Sequence, residues 1–235
     1  MKTPRVLLIT GTSRGIGRGL AEHFLGRGDI VCGCSRGAAT LKHRRYEHHA
    51  LEVSDEAAVV AMVRAVVRRH GRIDALVNNA GIASMNHALL TPAATARDVL
   101  ATNFHGTFLF CREVAKAMVR RKAGRIVNFS TVATPLRLEG EALYAASKAA
   151  VETFTEVLAR ELGGTGVTVN ALGPTPVPTD LVRNVPKARL QALLARQAIR
   201  RFGTVDDIAN VLEFFLSPRS DFITGQVLYL GGVNR

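Results

Sequence analysis

Cysteine, aromatic residues and long apolar runs are all scarce in this chain of 235 residues. The three cysteines, Cys32, Cys34 and Cys111, are an odd number and contain no CxxC pair. The sequence therefore predicts neither a disulfide framework nor a metal site. No apolar run approaches the ~18 residues of a membrane span, and the first run, residues 6–9, is too short for a signal peptide. We therefore expect a cytoplasmic protein with no membrane partner.

Acidic residues are also scarce, because Lys and Arg exceed Asp and Glu to give a net charge of +12. Such a surplus suits nucleic acid, an acidic protein, an anionic cofactor or a solvated surface. Nucleic acid is disfavoured, since no recognisable binding module is present and only 6% of the residues are aromatic. The charge alone does not choose among the other three.

Short apolar runs alternate with amphipathic segments, which is the pattern of a parallel sheet covered by helices on both faces. The predicted strands cover residues 5–10, 29–34, 48–53, 73–77, 125–129, 166–171 and 226–230. The predicted helices cover residues 15–26, 55–70, 95–121, 141–162, 188–196 and 205–216. Only residues 35–46 connect the second and third strands, so the crossover helix there has to be very short or replaced by a loop.

Three glycines crowd the turn after the first predicted strand, in the stretch TGTSRGIG from Thr10 to Gly17. Glycine is favoured where the chain needs positive φ or where another group approaches the backbone closely. At a strand-to-helix junction that group is typically a phosphate, because the first-turn amides are unpaired and the helix dipole attracts negative charge. An ordinary glycine-rich turn is the alternative.

Further polar residues follow later strands, at the carboxyl ends where a doubly wound sheet forms its ligand crevice. The stretch NNAG, residues 78–81, closes the fourth strand. Tyr144 and Lys148 lie at i and i+4, on one helix face. Tyr144 also lies thirteen residues beyond Thr131, at the end of the fifth strand. We expect hydroxyl, phenol and ammonium to converge at the crevice mouth, with Asn103 adding an amide.

In this order, TGTSRGIG, NNAG, Asn103, the Thr131 region, YAASK and the turn of residues 174–179 resemble the motifs of the short-chain dehydrogenase/reductase family. The resemblance extends through ITGQVLYLGG near the end, and the chain length is similar to that of the branch with the 3-oxoacyl-[acyl carrier protein] reductases. It implies a single-domain Rossmann fold over residues 1–235, with a doubly wound seven-stranded parallel sheet. It also implies a homo-oligomer, a tetramer or dimer, that uses the helices around Asn103 and Tyr144 and the C-terminal strand.

The resemblance implies hydride transfer between a nicotinamide and a ketone or secondary alcohol. Tyr144 is then the general acid, and Lys148 lowers the pKa of Tyr144 and holds the ribose hydroxyls. Asn103 anchors a water that links Lys148 to solvent. Where the family usually has serine, this chain has Thr131 with Ser130 beside it. Adjacent strand residues point to opposite faces, so we expect Thr131 to reach the substrate, and the opposite register stays open.

The implied cofactor contacts come from the glycine turn, the end of the second strand, an adenine-facing pair, the NNAG turn and the loop that covers the nicotinamide. They are Gly11, Ser13, Arg14, Gly15, Ile16, Gly17, Ser35, Arg36, Glu52, Val53, Asn79, Ala80, Gly81, Ser130, Tyr144, Lys148, Pro174, Val177 and Thr179. Two pairs depart from the family pattern: Glu52-Val53 replaces an Asp-aliphatic pair, and Pro174-Thr175 replaces Pro-Gly.

An acid is missing where NAD-specific proteins place one, about 20 residues after the glycine turn. No Asp or Glu occurs from Ile30 to Tyr46, whereas Ser35-Arg36 ends the second strand and Arg14 lies in the glycine turn. Two guanidiniums suit a ribose 2′-phosphate. The sequence therefore predicts NADP(H) as the cofactor.

Two function classes stay open, an NADP-dependent ketoreductase or alcohol dehydrogenase and a non-catalytic dinucleotide-binding sensor or regulator of the same fold. The full set Asn103, Thr131, Tyr144 and Lys148 favours the enzyme. The resemblance assigns the substrate pocket to a loop of about residues 180–200, whose packing does not reveal the substrate. Basic residues cluster at 120–125 and at 183–201, and they suit either a solvated surface or an acidic acyl carrier protein that presents the substrate.

Overall fold

A single parallel sheet organises the computed structural model, which describes residues 3–180, 182–183 and 185–234. Its strand order is β3-β2-β1-β4-β5-β6-β7. The strands are β1 (Val6–Thr10), β2 (Ile30–Ser35), β3 (Tyr46–Ala50), β4 (Ala75–Asn78), β5 (Gly124–Phe129), β6 (Val167–Gly173) and β7 (Val227–Tyr229). The order reverses between β1 and β4, which places a ligand crevice at the carboxyl ends of these strands. The predicted doubly wound α/β fold is confirmed.

Eight α-helices connect or flank the strands in the part of the chain that the structure describes. They are α1 (Gly15–Gly26), α2 (Glu56–His70), α3 (Ala93–Leu100), α4 (Gly106–Arg121), α5 (Ala133–Leu136), α6 (Ala142–Glu161), α7 (Lys187–Ala195) and α8 (Val205–Phe215). A π-helical turn, Ala101–His105, joins α3 to α4. The helix predicted over residues 95–121 is therefore one long helix with an altered turn near its start. No helix among the described residues is long and apolar enough to span a bilayer.

Hydrophobic cores cover both faces of the sheet, as the predicted fold requires. On one face α2, α4 and α6 bury side chains such as Val63, Phe110 and Leu158. On the other face α1 and α8 bury side chains such as Phe24 and Leu212. Each residue of β1 is buried, because a central parallel strand has helices above and below it.

The edge strand β3 is where the predicted boundaries were least accurate. The sequence favoured residues 48–53, whereas the strand spans Tyr46–Ala50 because Tyr46 pairs with Val31 and Ala50 pairs with Ser35 at the end of β2. Leu51 and Val53 are buried but lie beyond that register. The other predicted ends differ from the observed ones by two residues at most. As predicted, a loop replaces the crossover helix between β2 and β3.

Candidate active site

A cleft of about 1840 Å³ opens at the carboxyl ends of the strands. It is bordered by the glycine turn after β1, by the loops after β2, β4, β5 and β6, and by α7. All predicted cofactor contacts except Gly17 line this cleft. Thr131, Tyr144 and Lys148 line it as well, whereas Asn103 does not. The structure therefore brings almost all of the predicted residues to one place.

The glycine turn is shaped by close backbone packing. Gly11 has φ +75°, and a Cβ on it would lie 3.0 Å from the Cα of Ala80. A Cβ on Gly17 would overlap the carbonyl oxygen of Gly11 and the side chain of Asn79. Gly17 therefore lets α1 approach the turn, and its expected contact with the cofactor stays a prediction.

The start of α1 is suited to an anionic ligand. Arg14 at the N-cap makes no side-chain capping hydrogen bond, and the first turn contains no acidic residue. The amides of the first turn therefore receive no hydrogen-bond acceptor from the N-cap side chain, and the residues of this turn border the cleft. This is the usual arrangement for binding phosphate. Gly15, with φ +58°, keeps side-chain atoms away from this point.

The NNAG turn is fastened to β1 by hydrogen bonds. The side-chain amide of Asn79 donates to the carbonyl oxygen of Thr10 at 2.9 Å. The backbone amides of Asn79 and Ala80 both donate to the Thr10 hydroxyl at 3.0 Å. This turn therefore holds β1 and β4 together where the strand order reverses.

Two arginines border the part of the cleft next to β2. The guanidinium of Arg14 lies 3.6 Å from the carboxylate of Asp180, and the Arg14 side chain is 72% exposed. The guanidinium of Arg36 lies 3.9 Å from the carboxylate of Glu52, and the Arg36 side chain is 74% exposed. Exposed pairs of this kind contribute little to stability, so either guanidinium can turn toward an anion in the cleft. Glu52 accepts from the backbone amide of Val53 at 3.0 Å, which fixes that carboxylate at the end of the loop after β3.

The end of β5 separates the two adjacent hydroxyl residues. The Ser130 hydroxyl donates to the carboxylate of Glu152. The Thr131 hydroxyl accepts from the backbone amide of Ala133 at 3.2 Å, and it lowers the pKa of Tyr144. Lys148, one helical turn after Tyr144, is buried and donates to the carbonyl oxygen of Phe129 at 2.8 Å. Thr131, Tyr144 and Lys148 therefore lie together on the lining of the cleft, which supports Thr131 as the active-site hydroxyl.

Burial dominates the electrostatics of this group. Burial raises the pKa of Tyr144 to about 12, with a smaller lowering by Thr131 and a smaller raising by Glu141. Burial also lowers the pKa of Lys148 to about 8. Loss of hydration disfavours the charged form of both side chains, and the expectation that Lys148 lowers the pKa of Tyr144 stays a prediction. Tyr144 is held as a proton donor at neutral pH.

Asn103 lies in the π-helical turn, and its amide is used inside the protein. The Asn103 side chain accepts from the backbone amide of Ile82 at 2.8 Å and donates to the Ile82 carbonyl oxygen at 2.9 Å. It also donates to the Ser147 hydroxyl at 3.0 Å. This amide does not line the cleft, and its expected part in catalysis stays a prediction. Asn103 instead ties the end of the NNAG turn to α6 beside Lys148.

Sequence reasoning missed the wall of the cleft between Thr131 and Tyr144. Ala133 and Leu136 of the short helix α5, residues 137–139 and Glu141 line the cleft. Burial raises the pKa of Glu141 in this wall, while the charge of Arg189 on α7 lowers it. The thirteen-residue spacing between the two catalytic candidates was the available signal, since the intervening chain has to leave β5 and return to α6.

A buried carboxylate behind the site was also missed. Glu152 is 3% exposed, and it accepts from the Ser130 hydroxyl and from the Tyr229 hydroxyl, the latter at 2.6 Å. These contacts join β5, α6 and β7. No spacing rule in the sequence brings these three residues together, because they come from three separate elements.

The two basic clusters lie at different places. Arg121 and Arg125 lie at the amino ends of the strands, opposite the cleft: Arg121 pairs with Asp74 at 3.2 Å, and Arg125 donates to backbone carbonyls, including that of Ser217 at 3.3 Å. In the second cluster, Arg189 and Arg196 line the cleft. Only this second cluster is placed to act on a substrate.

Known proteins resemble this chain over nearly its full length. A family model described as "Enoyl-(Acyl carrier protein) reductase" matches residues 11–234. The chain is 34% identical over 234 residues to a 3-oxoacyl-[acyl-carrier-protein] reductase FabG of Vibrio harveyi, covering 97% of this chain and 96% of that protein.

Solved structures of reductases and dehydrogenases superpose closely on this chain. One is a gluconate 5-dehydrogenase from Burkholderia cenocepacia J2315 in complex with NADP and tartrate, with a TM-score of 0.91, 32% identity and coverage of 99% of this chain and 95% of that one. Another is ElxO with NADP bound, with a TM-score of 0.89, 29% identity and coverage of 98% of both chains. The similarity therefore extends over the sheet, the cleft and the C-terminal helices.

Proposed function

This chain belongs to the short-chain dehydrogenase/reductase family, and on that premise we propose that it reduces a 3-oxoacyl thioester with Thr131, Tyr144 and Lys148 as catalytic residues. It is an NADP-dependent oxidoreductase. One observation carries the proposal of catalysis: the Thr131 hydroxyl, the protonated phenol of Tyr144 and the buried ammonium of Lys148 lie together on the wall of the cleft. A protein that only bound a dinucleotide would not need this group.

The residues of the cleft fit NADP(H). The uncapped amides at the start of α1 and the positive φ of Gly11 and Gly15 suit the pyrophosphate. Arg14 and Arg36 suit the 2′-phosphate, because guanidinium groups bind phosphate in a bidentate manner. The Gly81 position has no room for a bulky side chain, since a Cβ there would lie 3.4 Å from the Lys148 ammonium nitrogen and 3.2 Å from the Asn103 side-chain oxygen. When bound, the nicotinamide supplies the hydride.

The protein's own residues handle the substrate oxygen and its proton. Thr131 and Tyr144 both donate toward the carbonyl oxygen, which stabilises negative charge as it develops there. Tyr144 then gives its proton to that oxygen as the general acid. The raised pKa of Tyr144 keeps the phenol protonated at neutral pH. Lys148 supplies positive charge beside the phenolate that forms, so the ammonium acts most strongly after the proton has left.

The cleft lining supports an acyl substrate with an anionic carrier. Apolar residues of α7 and the segment before it line the cleft, and Arg189 and Arg196 lie among them. Apolar walls suit an acyl chain, and cations near the entrance attract an acidic carrier or the phosphate of a phosphopantetheine arm. This arrangement favours a carrier-bound 3-oxoacyl thioester over a small neutral ketone.

The proposal is tested by measuring NADPH oxidation with small ketones, with 3-oxoacyl thioesters of N-acetylcysteamine and with the same acyl groups on acyl carrier protein. We expect turnover of the thioesters and a higher kcat/KM for the carrier-bound form. Efficient turnover of small ketones alone would replace the proposed substrate. NADPH binding without turnover across the whole panel would favour a sensor or regulator.

We also propose that the chain forms a homo-oligomer through α4, α6 and the region around β7. Support comes from apolar side chains on the surface of these regions, such as Val157 on α6 at 48% exposure and Phe222 before β7 at 99% exposure. Light scattering coupled to gel filtration would give the mass, and a monomeric mass at micromolar concentration would contradict this assembly.

A further inference from the structure

A second cluster of chemically distinctive side chains lies outside the cleft, between the edge of the sheet and the end of α2. Cys32 on β2 is paired in register with Glu47 on β3. His70 is the last residue of α2. The thiol sulfur of Cys32, a carboxylate oxygen of Glu47 and a ring nitrogen of His70 all lie within 4.8 Å of one another. None of the three residues lines the cofactor cleft.

We propose that Cys32, Glu47 and His70 bind a divalent transition metal ion such as Zn²⁺. Zinc takes thiolate, imidazole and carboxylate ligands at about 2.0–2.3 Å, so tetrahedral donor atoms lie roughly 3.3–3.6 Å apart. Side-chain rotations that move the present donor atoms by about 1 Å would bring them to that spacing. The thiolate and imidazole disfavour Mg²⁺ and Ca²⁺, which prefer oxygen ligands. Three protein ligands leave the fourth position for water.

Nearby histidine and carboxylate contacts already orient the donors. The Nε2 atom of His70 lies 3.2 Å from one oxygen of Glu47, and the Nε2 atom of His49 lies 3.0 Å from the other. His49 therefore holds the carboxylate from the side away from His70, as partners around a metal site commonly do. As the sulfur–metal bond forms, the Cys32 thiol releases its proton to solvent, and the His70 ring coordinates through its nitrogen lone pair.

The position of the cluster indicates a stabilising role. The connection between β2 and β3 has no crossover helix, and the residues of β3 are only partly buried or exposed. A metal bound here would link β2, β3 and α2 at the edge of the sheet, where no crossover helix packs between β2 and β3. It would not take part in hydride transfer, because its ligands lie outside the cleft.

One positive charge competes with the metal. The guanidinium of Arg69 lies 3.5 Å from the Glu47 carboxylate oxygen that also faces His70, and the Arg69 side chain is 69% exposed. An exposed guanidinium can turn to solvent when a cation binds, but its charge opposes that binding. Removing it with Arg69→Ala is therefore expected to tighten metal binding.

The test is a titration of the full chain with Co²⁺, which reports its ligands by absorption. We expect one equivalent to bind with a thiolate-to-cobalt charge-transfer band and the visible bands of a tetrahedral site, to be displaced by Zn²⁺, and to raise Tm. Cys32→Ser should abolish the charge-transfer band and weaken binding by more than about 10-fold. The matched control is Cys34→Ser, which removes a buried thiol two residues along the same strand and should keep the band.

A second variant separates metal loss from unfolding. Glu47→Gln should weaken Co²⁺ binding while circular dichroism and NADPH binding stay as in the wild type. Absence of a charge-transfer band in the wild type would overturn the proposal, as would a band that survives Cys32→Ser. Either result would leave Glu47, His49 and His70 as a hydrogen-bonded network without a metal.

Discussion

The assignment of the active-site hydroxyl to Thr131 is tested by three substitutions at the end of β5. Thr131→Ala removes the hydroxyl that acts on Tyr144, and loss of one donor to a developing oxyanion costs about 10²-fold or more in kcat, or ~2.7 kcal/mol. Thr131→Ser keeps the hydroxyl and loses one methyl group, so kcat should stay within about 3-fold of the wild type. Ser130→Ala removes a hydrogen bond to the buried Glu152. Its expected cost is ~1–3 kcal/mol of stability, with little change in kcat.

The assay is kcat at saturating NADPH, with NADPH affinity and Tm measured on each variant. Normal NADPH binding in Thr131→Ala is the control that places its defect in the chemical step. If Ser130→Ala loses about 10²-fold in kcat while Thr131→Ala is near the wild type, Ser130 and not Thr131 supplies the active-site hydroxyl.

The remaining predictions concern the phenol, the cofactor, the buried ammonium and the charged entrance. Tyr144→Phe should abolish turnover and leave NADPH affinity within a few-fold, because only the proton donor is lost; residual turnover near the wild-type rate would refute its role. Arg36→Asp should reduce the preference for NADPH over NADH by about 10- to 100-fold, and a wild type that uses NADH at least as efficiently would contradict the cofactor assignment. The folded-state pKa of Lys148, about 8, lies below its ordinary value of 10.5. Between these two pH values the side chain binds more protons in the unfolded chain than in the folded one. Its contribution to the free energy of unfolding therefore rises with pH in that range. Between pH 8 and 10 this contribution should reach roughly 2–3 kcal/mol and be absent from Lys148→Met. If the free energies of unfolding of the two proteins, measured by denaturation, change with pH in parallel across that range, the prediction is contradicted. Arg189→Glu should reduce the kcat/KM advantage of carrier-bound substrate, and added salt should do the same in the wild type, because the Debye length falls from ~10 Å at 0.1 M to ~3 Å at 1 M; an advantage that is independent of salt would exclude steering.

The features that could be predicted from the sequence are those encoded by local spacing. The alternation of apolar runs predicted the parallel sheet, and the i, i+4 spacing of Tyr144 and Lys148 placed both on one face of α6. Alternation at the end of β5 favoured Thr131 over Ser130 as the active-site hydroxyl, and this choice stays a prediction. Each of these inferences depends on residues a few positions apart, where the period of the helix or strand determines direction.

The features that could not be predicted depend on long-range packing. The end of β3 is set by its register with β2, and no local pattern distinguishes Ala50 from the buried Leu51. The Asn103 amide looked like an active-site group, but its partners Ile82 and Ser147 come from two distant segments. The pKa of Tyr144 depends on burial by the surrounding fold, which sequence spacing does not reveal.

The π-helical turn at Ala101–His105 is a wide turn within one long helix. A π turn accommodates one additional residue, and one residue corresponds to about 100° of rotation around a helix axis. The wide turn absorbs that residue, so α3 and α4 keep the phase of one continuous helix, and Phe110, Val114 and Met118 face the sheet that buries them. The buried side chain of Asn103 in this turn is held by Ile82 and Ser147. The helix is consequently more sensitive here to the identity of that side chain than to the loss of the extra residue, which would close the wide turn to an ordinary α-helical one.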